Sequence, residues 1–349
     1  MRSWAALTIT MLLTCHASGC TQSTESQGDA NASSSSDDDA GPGDAGGFVP
    51  GGEVTTYQAA LGPTEVAPGI EETRCVLVRL DNPEPVLVRR FRTELSEGAH
   101  HFIVYRSEQT EEDAEPTTCP GFSGFSTGEV TLFIAQHDQV TLEFPSEGSS
   151  PVGLEIDPHQ MLRLEMHWLN SGAEPLSVTA KVIVDTIPID EHAVRADVAF
   201  WGTTRLNAAG VPPSDTIAPH SKADTGVMFQ RALGDTKSFA LTTHQHWRGT
   251  RMRVWLSDGP EMQGAPLADA ADWAHPPFVE LEPPIVFPAA EGPRGSLSDR
   301  GLSYRCEYDN GTADEVGFGE SAATDEMCFL WHYYYPSRGL HYCLDGECQ

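Results

Sequence analysis

Short apolar runs separated by turn-forming residues dominate the chain from Glu53 onward. The runs are rich in Val, Leu, Phe and Thr, and Pro, Gly and Asp interrupt them. Short runs of this kind, with no long helical periodicity, are typical of β-sandwiches. The predicted strands lie at residues 75–80, 86–91, 101–105, 130–134, 140–144, 161–169, 178–184, 239–246, 252–256, 302–308 and 327–335. The sequence therefore predicts an all-β fold.

The length and one polar interruption predict how this β-structure is divided. At 349 residues the chain is long enough for about two domains. A Pro- and Asp-bearing stretch at residues 185–190 provides a boundary. We therefore expect an N-terminal domain over residues 53–187 and a C-terminal domain over residues 188–349.

The N-terminal region has the composition of an export signal followed by a linker. Small residues precede Cys20 in Ala-Ser-Gly-Cys, which resembles a bacterial lipobox, and the apolar run before it is too short to cross a bilayer. We expect residues 1–20 to be a signal peptide that leaves Cys20 lipidated; an ordinary signal peptide with a chance cysteine is the alternative. Residues 21–52 are almost wholly Ser, Asp, Gly, Ala, Asn and Gln, which predicts a disordered tether. The protein is thus predicted to be an exported lipoprotein on the periplasmic or cell-surface side.

The overall charge excludes one class of partner. The formal net charge is -30 at pH 7, and the sequence has no cluster of Lys and Arg of the kind that binds phosphate groups. Nucleic acids and anionic membrane surfaces are therefore not expected as partners, and contact with a membrane is expected only through the lipid anchor.

The cysteine count agrees with export. Six cysteines remain once Cys15 and Cys20 are set aside, and an even number in an exported protein predicts disulfides. They are Cys75, Cys119, Cys306, Cys328, Cys343 and Cys348. Spacing alone does not choose among the possible pairings.

Five histidines and one methionine lie in four short patches and have the character of metal ligands. Imidazole binds copper, zinc, iron and nickel, whereas thioether sulfur favours copper. The patches divide into a first set, His100, His101 and His167, and a second set, His244, His246 and Met327. Each patch alone has a simpler explanation, a strand coincidence or a core residue. Together they predict two incompletely coordinated copper sites with room for oxygen, water or substrate.

Strand geometry supports the grouping, because residues two apart on a strand face the same side. His244 and His246 therefore project together, with Thr242 on the same face if the strand is regular. Neighbouring His100 and His101 would diverge on a regular strand, so we expect a bulge or a strand end there, or the use of different ring nitrogens, to let both reach one metal.

The same alternation applies around the methionine. Met327, Phe329 and Trp331 share one face, and Cys328 points the opposite way, where it is free to form a structural disulfide. The sequence predicts a functional face and a cross-linked face within five residues.

Four motifs, in order, carry a family resemblance. They are His100-His101-Phe-Ile-Val-Tyr, Leu164-Glu-Met-His167-Trp, Thr243-His244-Gln-His246-Trp-Arg-Gly and Thr324-Asp-Glu-Met327-Cys328. This order resembles the copper type II ascorbate-dependent monooxygenases, which include peptidylglycine α-hydroxylating monooxygenase and dopamine β-monooxygenase. The similarity covers about Thr73 to Pro336.

The resemblance implies a fold and roles for the ligands. The fold would be two jelly-roll-like β-sandwiches side by side across an open, wet cleft. Two copper ions per chain are implied: the first set supplies an electron, and the second set is catalytic and binds oxygen beside a substrate C–H bond. Ascorbate or another one-electron donor would be the co-substrate. The resemblance also pairs Cys75 with Cys119 and Cys306 with Cys328, while Cys343 and Cys348 most simply pair with each other.

Departures from the family pattern concern the substrate. The peptide-amidating branch has an arginine where this chain has Thr242, and threonine forms no ion pair with a peptide carboxylate. The same branch has Asn and Tyr where this chain has Phe329 and Trp331. A pocket lined by these three residues is expected to prefer a small apolar or aromatic substrate over peptidylglycine.

The sequence thus predicts a copper-dependent monooxygenase that uses O2 and an external one-electron reductant to hydroxylate such a substrate. A non-catalytic copper-binding or copper-handling lipoprotein on the same scaffold is the alternative. A metal-free sandwich that binds a surface partner is a third reading. Both ligand sets are complete, which favours the enzyme, because a one-copper binder does not need the electron-transfer set.

Overall fold

The first half of the described chain consists of two β-sheets around one apolar core. The computed structural model describes residues 53–348 except for 123, 125, 126, 207–212 and 292–295, so the predicted signal peptide, Cys20 and the tether lie outside the described residues. The strands are β1 (Thr55–Val66), β2 (Glu71–Arg79), β3 (Val86–Leu95), β4 (Ala99–Ser107), β5 (Thr117–Thr118), β6 (Val130–Ala135), β7 (Thr141–Glu143), β8 (Ser146–Glu147), β9 (Ser150–Ile156), β10 (Met161–Leu169), β11 (Leu176–Pro188) and β12 (Val194–Arg195). One sheet has the order β1-β11-β3-β9-β12, with β7 on β3 and β8 on β9, and the other has the order β5-β2-β10-β4-β6.

The second half repeats this arrangement with its own sheets. Its strands are β13 (Asp197–Gly202), β14 (Thr216–Ile217), β15 (Ser221–Asp224), β16 (Met228–Leu233), β17 (Thr236–His244), β18 (Gly249–Ser257), β19 (Ala268–Ala270), β20 (Phe278–Phe287), β21 (Leu297–Asn310), β22 (Val316–Gly317), β23 (Phe329–Tyr335), β24 (His341–Leu344) and β25 (Glu347–Cys348). One large sheet has the order β20-β17-β23-β13-β24-β25, the other has the order β15-β21-β18-β19, with β16 on β21, and β14 and β22 form a separate two-stranded sheet. The predicted all-β fold of two jelly-roll-like sandwiches is confirmed.

The alternation of side chains explains why these segments are strands. In β11, Val178, Ala180, Val182 and Val184 are buried, while the residues between them are exposed or partly exposed. One apolar face against a core and one wet face is the usual pattern of an antiparallel sheet. A central strand such as β4 is instead buried on both faces over most of its length, because it is covered on both sides.

The predicted boundary falls on a strand rather than on a loop. β11 continues through Pro188, and β12 pairs in parallel with β9, so pairing within the first half extends to Arg195. Strand pairing among the described residues stays within each half. The division into two domains at residues 187 and 188 remains a prediction.

An apolar core joins the two halves. Aromatic rings meet across the junction: the centroids of Phe133 and Phe278 lie 6.2 Å apart, and those of Phe144 and Phe239 lie 5.3 Å apart. Burying one such side chain stabilises the fold by about 1.5–3 kcal/mol. At these two contacts the halves pack closely, so the open, wet cleft implied by the family resemblance does not extend to them. A separate core lies between the sheets of the second half.

None of the helical segments within the described part of residues 53–348 has the length and apolar character needed to cross a membrane.

Candidate metal centre

The first set of histidines meets on two neighbouring strands. His101 on β4 pairs directly with His167 on β10, and their ring centroids lie 5.0 Å apart. The register then shifts, because Trp168 pairs with Ala99, and His100 is the extra residue of a bulge. The bulge brings the ring of His100 to 5.2 Å from both His101 and His167. The irregularity expected for adjacent histidines is present, and it turns both rings toward one place.

The second pair of histidines begins where β17 ends. His244 is the last residue of the strand, and His246 follows in the loop before β18, so the predicted strand 239–246 is two residues too long. Their ring centroids are 5.1 Å apart, as expected for a chelating pair.

The structure brings both groups of histidines into one cluster. The ring of His100 lies 5.0 Å from that of His244 and 5.2 Å from that of His246, and His101 lies 5.2 Å from His244. Ligand atoms of His100, His101 and His244 lie within 4.8 Å of one another. We refer to His100, His101, His167, His244 and His246 as the histidine cluster. Two spatially separate ligand sets were expected, whereas residues of both sets are in contact here; the assignment of three ligands to each of two ions remains a prediction.

Burial keeps most of these imidazoles neutral, which is the form that binds a metal. Burial, followed by repulsion from neighbouring imidazoles, holds the pKa of His100, His101 and His244 well below its usual value. The same causes lower the pKa of His246 to about 3.

Every ring of the histidine cluster has a buried nitrogen without a hydrogen-bond partner. These atoms are Nε2 of His100, both ring nitrogens of His101, Nδ1 of His167, and Nε2 of His244 and His246. Leaving a buried polar atom unpaired costs about 1–3 kcal/mol. Five such rings side by side fit a centre that binds a metal ion through the unpaired nitrogens.

The other ring nitrogens of two histidines have partners that fix the ring orientation. Nδ1 of His244 lies 2.6 Å from Oε1 of Gln136, and Nδ1 of His246 lies 3.3 Å from the carbonyl oxygen of Asp325. Metal-binding histidines commonly use one nitrogen for the metal and donate the other N–H in this way. In each case the bond leaves Nε2 as the free acceptor.

His167 has the opposite arrangement. Its Nε2 lies 2.7 Å from Oε1 of Glu71, so Nδ1 is the nitrogen left for a metal. Partial burial acts to raise the pKa of Glu71, but hydrogen bonds from His167 and Ser321 outweigh it and lower the pKa to about 2. The carboxylate is therefore ionised.

Met327 lies close to the histidine cluster through the backbone. Oε2 of Glu326 accepts from the amide N–H of His246 at 3.2 Å and from that of Met327 at 3.3 Å. Burial raises the pKa of this carboxyl to about 7, although the backbone bonds act to lower it. Met327 is 7 % exposed and lines a cavity of about 630 Å³.

The predicted alternation around Met327 is observed. Phe329 and Trp331 belong to the core shared by the two halves, whereas Cys328 and Leu330 belong to the separate core of the second half. Cys328 forms its disulfide with Cys306 in that second core. The structure also contains the Cys75–Cys119 and Cys343–Cys348 disulfides.

The three predicted pocket residues take different positions. Phe329 lines the cavity. Trp331 is fully buried and packs on Phe200, with ring centroids 4.3 Å apart. The Thr242 hydroxyl donates to the carbonyl oxygen of Pro277 and accepts from Gln136. Thr242 and Trp331 are not part of the cavity lining. Thr242 is bonded to Gln136, and the ring of Trp331 lies 6.2 Å from that of His244.

Phe122 separates the cavity from the histidine cluster, and sequence reasoning missed it. Its ring lies 4.8 Å from that of His101 and 5.7 Å from that of His244, and the residue also lines the cavity. Its φ is 53°, in the left-handed region, and its N–H donates to Glu165 at 2.5 Å. Glu71 and Gln136 were missed as well. Only their polarity at the edges of apolar strands distinguishes them in the sequence.

Two comparisons with known proteins give sequence matches. Residues 194–347 match the family model described as copper type II ascorbate-dependent monooxygenase, C-terminal domain. The chain is 23 % identical over 277 residues to DBH-like monooxygenase protein 2 of Mus musculus, covering 75 % of this chain and 41 % of that protein.

Solved structures give weaker likenesses. The major capsid protein P2 of bacteriophage PM2 has a TM-score of 0.35 and 6 % identity, covering 82 % of this chain and 100 % of that chain. N-glycanase F (PNGase F) has a TM-score of 0.31 and 10 % identity, covering 82 % and 96 %. Scores at this level carry no functional implication. The family model and the mouse relative together support the copper type II ascorbate-dependent monooxygenase family, whose C-terminal domain the second half of this chain matches.

Proposed function

We propose that this protein is a copper-dependent monooxygenase that hydroxylates a C–H bond of a small apolar or aromatic molecule, using O2 and a one-electron reductant such as ascorbate. The observation that carries the proposal is the histidine cluster, in which five buried rings each have an unpaired nitrogen. Buried, neutral imidazoles with a nearby thioether are a ligand set suited to copper.

The proposed ligands are the two sets predicted from the sequence, one copper ion for each. Bound copper would supply electron transfer and oxygen activation. His100, His101 and His167 would hold one ion, and His167 would do so through Nδ1, since Glu71 occupies Nε2. His244, His246 and Met327 would hold the other, with both histidines using Nε2, because Gln136 and Asp325 occupy Nδ1.

The cavity beside Met327 is the proposed substrate site. Phe122, Phe200 and Phe329 contribute aromatic walls, which favour an apolar or aromatic substrate. Phe122 stands between this cavity and the histidine cluster, so it limits how closely a substrate approaches the metal and restricts the entry of water. A substrate bound in this cavity would present a C–H bond to the side of the centre on which Met327 lies.

We further propose that the protein is exported as a lipoprotein, with Cys20 as the lipidated residue. This rests on the sequence of the N-terminal segment, Ala-Ser-Gly-Cys before a polar tether. Mass spectrometry of the mature N-terminus tests it: a diacylglyceryl-modified Cys20 is expected, and an unmodified N-terminus at another residue would disprove it.

Metal analysis and oxygen uptake test the enzymatic proposal. Copper-loaded protein is expected to contain two copper ions per chain and to consume O2 with ascorbate and a member of a panel of aromatic and aliphatic compounds. His167→Ala and Met327→Ala should each lose one ion. Exposed His192 and Met262 provide matched controls, since alanine at either position should leave both ions bound.

The outcomes separate the alternatives. Two copper ions without substrate-dependent oxygen uptake across the panel would favour the copper-handling lipoprotein. Zinc alone, or no metal at all, would overturn the proposed function.

A further inference from the structure

One carboxylate, that of Glu71, joins a first-set histidine to a turn in the second half of the chain. Oε1 of Glu71 accepts from Nε2 of His167 at 2.7 Å and from the amide N–H of Ala322 at 2.5 Å. Oε2 accepts from the hydroxyl of Ser321 at 2.8 Å and from the amide N–H of Ala323 at 3.4 Å. Glu71 and Ser321 are 250 positions apart in the chain. Charge-assisted hydrogen bonds of this kind are about twice as strong as neutral ones.

The same turn supports the second set. We refer to residues 321–326 as the Ser321 turn. The carbonyl oxygen of Asp325 is the partner of Nδ1 of His246, and Trp247 N–H donates to the carbonyl oxygen of Ala322 at 3.4 Å. Arg248 Nη1 also donates to the carbonyl oxygen of Ala323. The turn therefore fixes the loop that carries His246.

The turn is joined to Met327 by its last residue. The Glu326 carboxylate accepts from the amide N–H groups of His246, Arg248 and Met327. A shift of the Ser321 turn would move the backbone of a second-set histidine and of the methionine together. Glu71 is thus bonded on one side to a ligand of the first set and on the other to the support of the second.

We propose that Glu71 is a positioning residue that couples the two ligand sets. A metal ion at His100, His101 and His167 restricts the motion of the His167 ring. Because Glu71 is bonded to that ring and to the Ser321 turn, the turn becomes less mobile as well, and with it His246 and Met327. By thermodynamic linkage, a metal ion in the second set favours metal binding in the first to the same degree. The coupling rests on the proposed copper ligands, whereas the tie between Glu71 and the turn does not.

The hydrogen bonding between Glu71 and the Ser321 turn can be tested directly in metal-free protein. Amide hydrogen exchange of the Ser321 turn, followed by mass spectrometry, should be at least about fivefold faster in Glu71→Gln than in wild-type protein, because a neutral amide cannot accept four donors. Glu72→Gln is the matched control, since this neighbouring carboxylate bonds to Arg74 and Thr118 within the first half. If the Ser321 turn exchanged at the wild-type rate in Glu71→Gln, the proposal would be overturned.

The coupling between the two ligand sets can be tested with copper alone as the probe. His244→Ala disables the second set without removing a contact of the Ser321 turn. Copper(I) added to this variant should slow exchange in the turn by about fivefold or more, the lower end of typical coupling between sites. The same addition to Glu71→Gln/His244→Ala should leave exchange unchanged.

The outcomes distinguish this inference from the proposed function. Copper binding that leaves the turn unaffected in His244→Ala would overturn the coupling and leave the proposed function standing. Failure of wild-type protein to bind copper would overturn both.

Discussion

Gln136 and His244 lie 108 positions apart, and Oε1 of Gln136 is 2.6 Å from Nδ1 of His244. The amide nitrogen of Gln136 donates to the carbonyl oxygen of Thr243 at 2.8 Å. A side chain from the first half thereby sets the ring orientation of a proposed metal ligand in the second. Both halves of the chain therefore contribute side chains to the proposed metal centre.

Replacing Gln136 with alanine should weaken copper binding at His244. The change frees the ring to rotate and leaves Nδ1 and a backbone carbonyl unpaired, so copper affinity should fall by about 10- to 100-fold. The free energy of unfolding of the metal-free protein should fall by about 1–3 kcal/mol. Competition with a chromophoric copper chelator and urea unfolding measure the two effects. Gln139→Ala, at an exposed position nearby, should change neither.

Acid should destabilise the metal-free protein, partly through His332. Burial, followed by repulsion from His341, lowers the pKa of His332 to about 3, and burial lowers the pKa of His341 to about 4. The unfolded chain binds these protons from about pH 6.5 downward, so stability is full above that pH and is lost as the pH falls toward the folded-state values. In His332→Asn, the slope of the unfolding free energy between pH 4.5 and 5.5 should be smaller by about 1.4 kcal/mol per pH unit. An unchanged slope would show that His332 is already protonated in the folded protein.

The disulfide behind Met327 should contribute more stability than the C-terminal one. Cys306 and Cys328 close a loop with a sequence separation of 22, whereas Cys343 and Cys348 are separated by 5. Loop-closure entropy gives about 3 kcal/mol for the first and about 2 kcal/mol for the second. Urea unfolding of the two paired serine variants measures the difference. Equal losses, or a greater loss in the C-terminal variant, would contradict the entropic account.

Gly202→Ala should displace Phe329 in the cavity wall. A Cβ atom at this position would lie 1.9 Å from Cδ1 of Phe329 and 3.0 Å from the carbonyl oxygen of Cys328. Overpacking of this kind costs about 1–3 kcal/mol, which a thermal unfolding midpoint would report. Gly317→Ala, with no heavy atom within 4 Å of the new Cβ, is the control. Gly202→Ala/Phe329→Leu should recover part of the loss; no recovery would place the strain on the backbone of Cys328.

Local periodicity made part of this structure predictable. The β fold was predicted from alternation along strands, and His244 and His246 are paired as predicted, although His246 lies beyond the end of β17. Met327 and Cys328 face different cores, as the alternation predicted, although both precede β23. The bulge at His100 could be expected because two adjacent side chains on a regular strand cannot converge.

Contacts between distant segments could not be predicted from local periodicity. The bonds of Gln136 to His244 and of Glu71 to Ser321 join residues more than a hundred positions apart, and no period in the sequence signals them. The meeting of both sets of histidines depends on how the halves pack, which in turn depends on a shared apolar core. Thr242 lies on the expected strand, yet its hydroxyl forms hydrogen bonds with Gln136 and Pro277. The face of the strand on which Thr242 lies therefore did not predict which residues it contacts.

Because of the bulge in β4, the first chelating pair depends on the number of residues in this strand as well as on their identity. His100 is the unpaired residue between Ala99 and His101, and its presence allows two consecutive imidazoles to face one side. Loss of one residue there would restore regular alternation and turn one ring to the other face of the sheet. A relative of this chain can therefore retain both histidines and still lack the site. Evolutionary gain or loss of this proposed metal site is expected to appear as an insertion or deletion in β4.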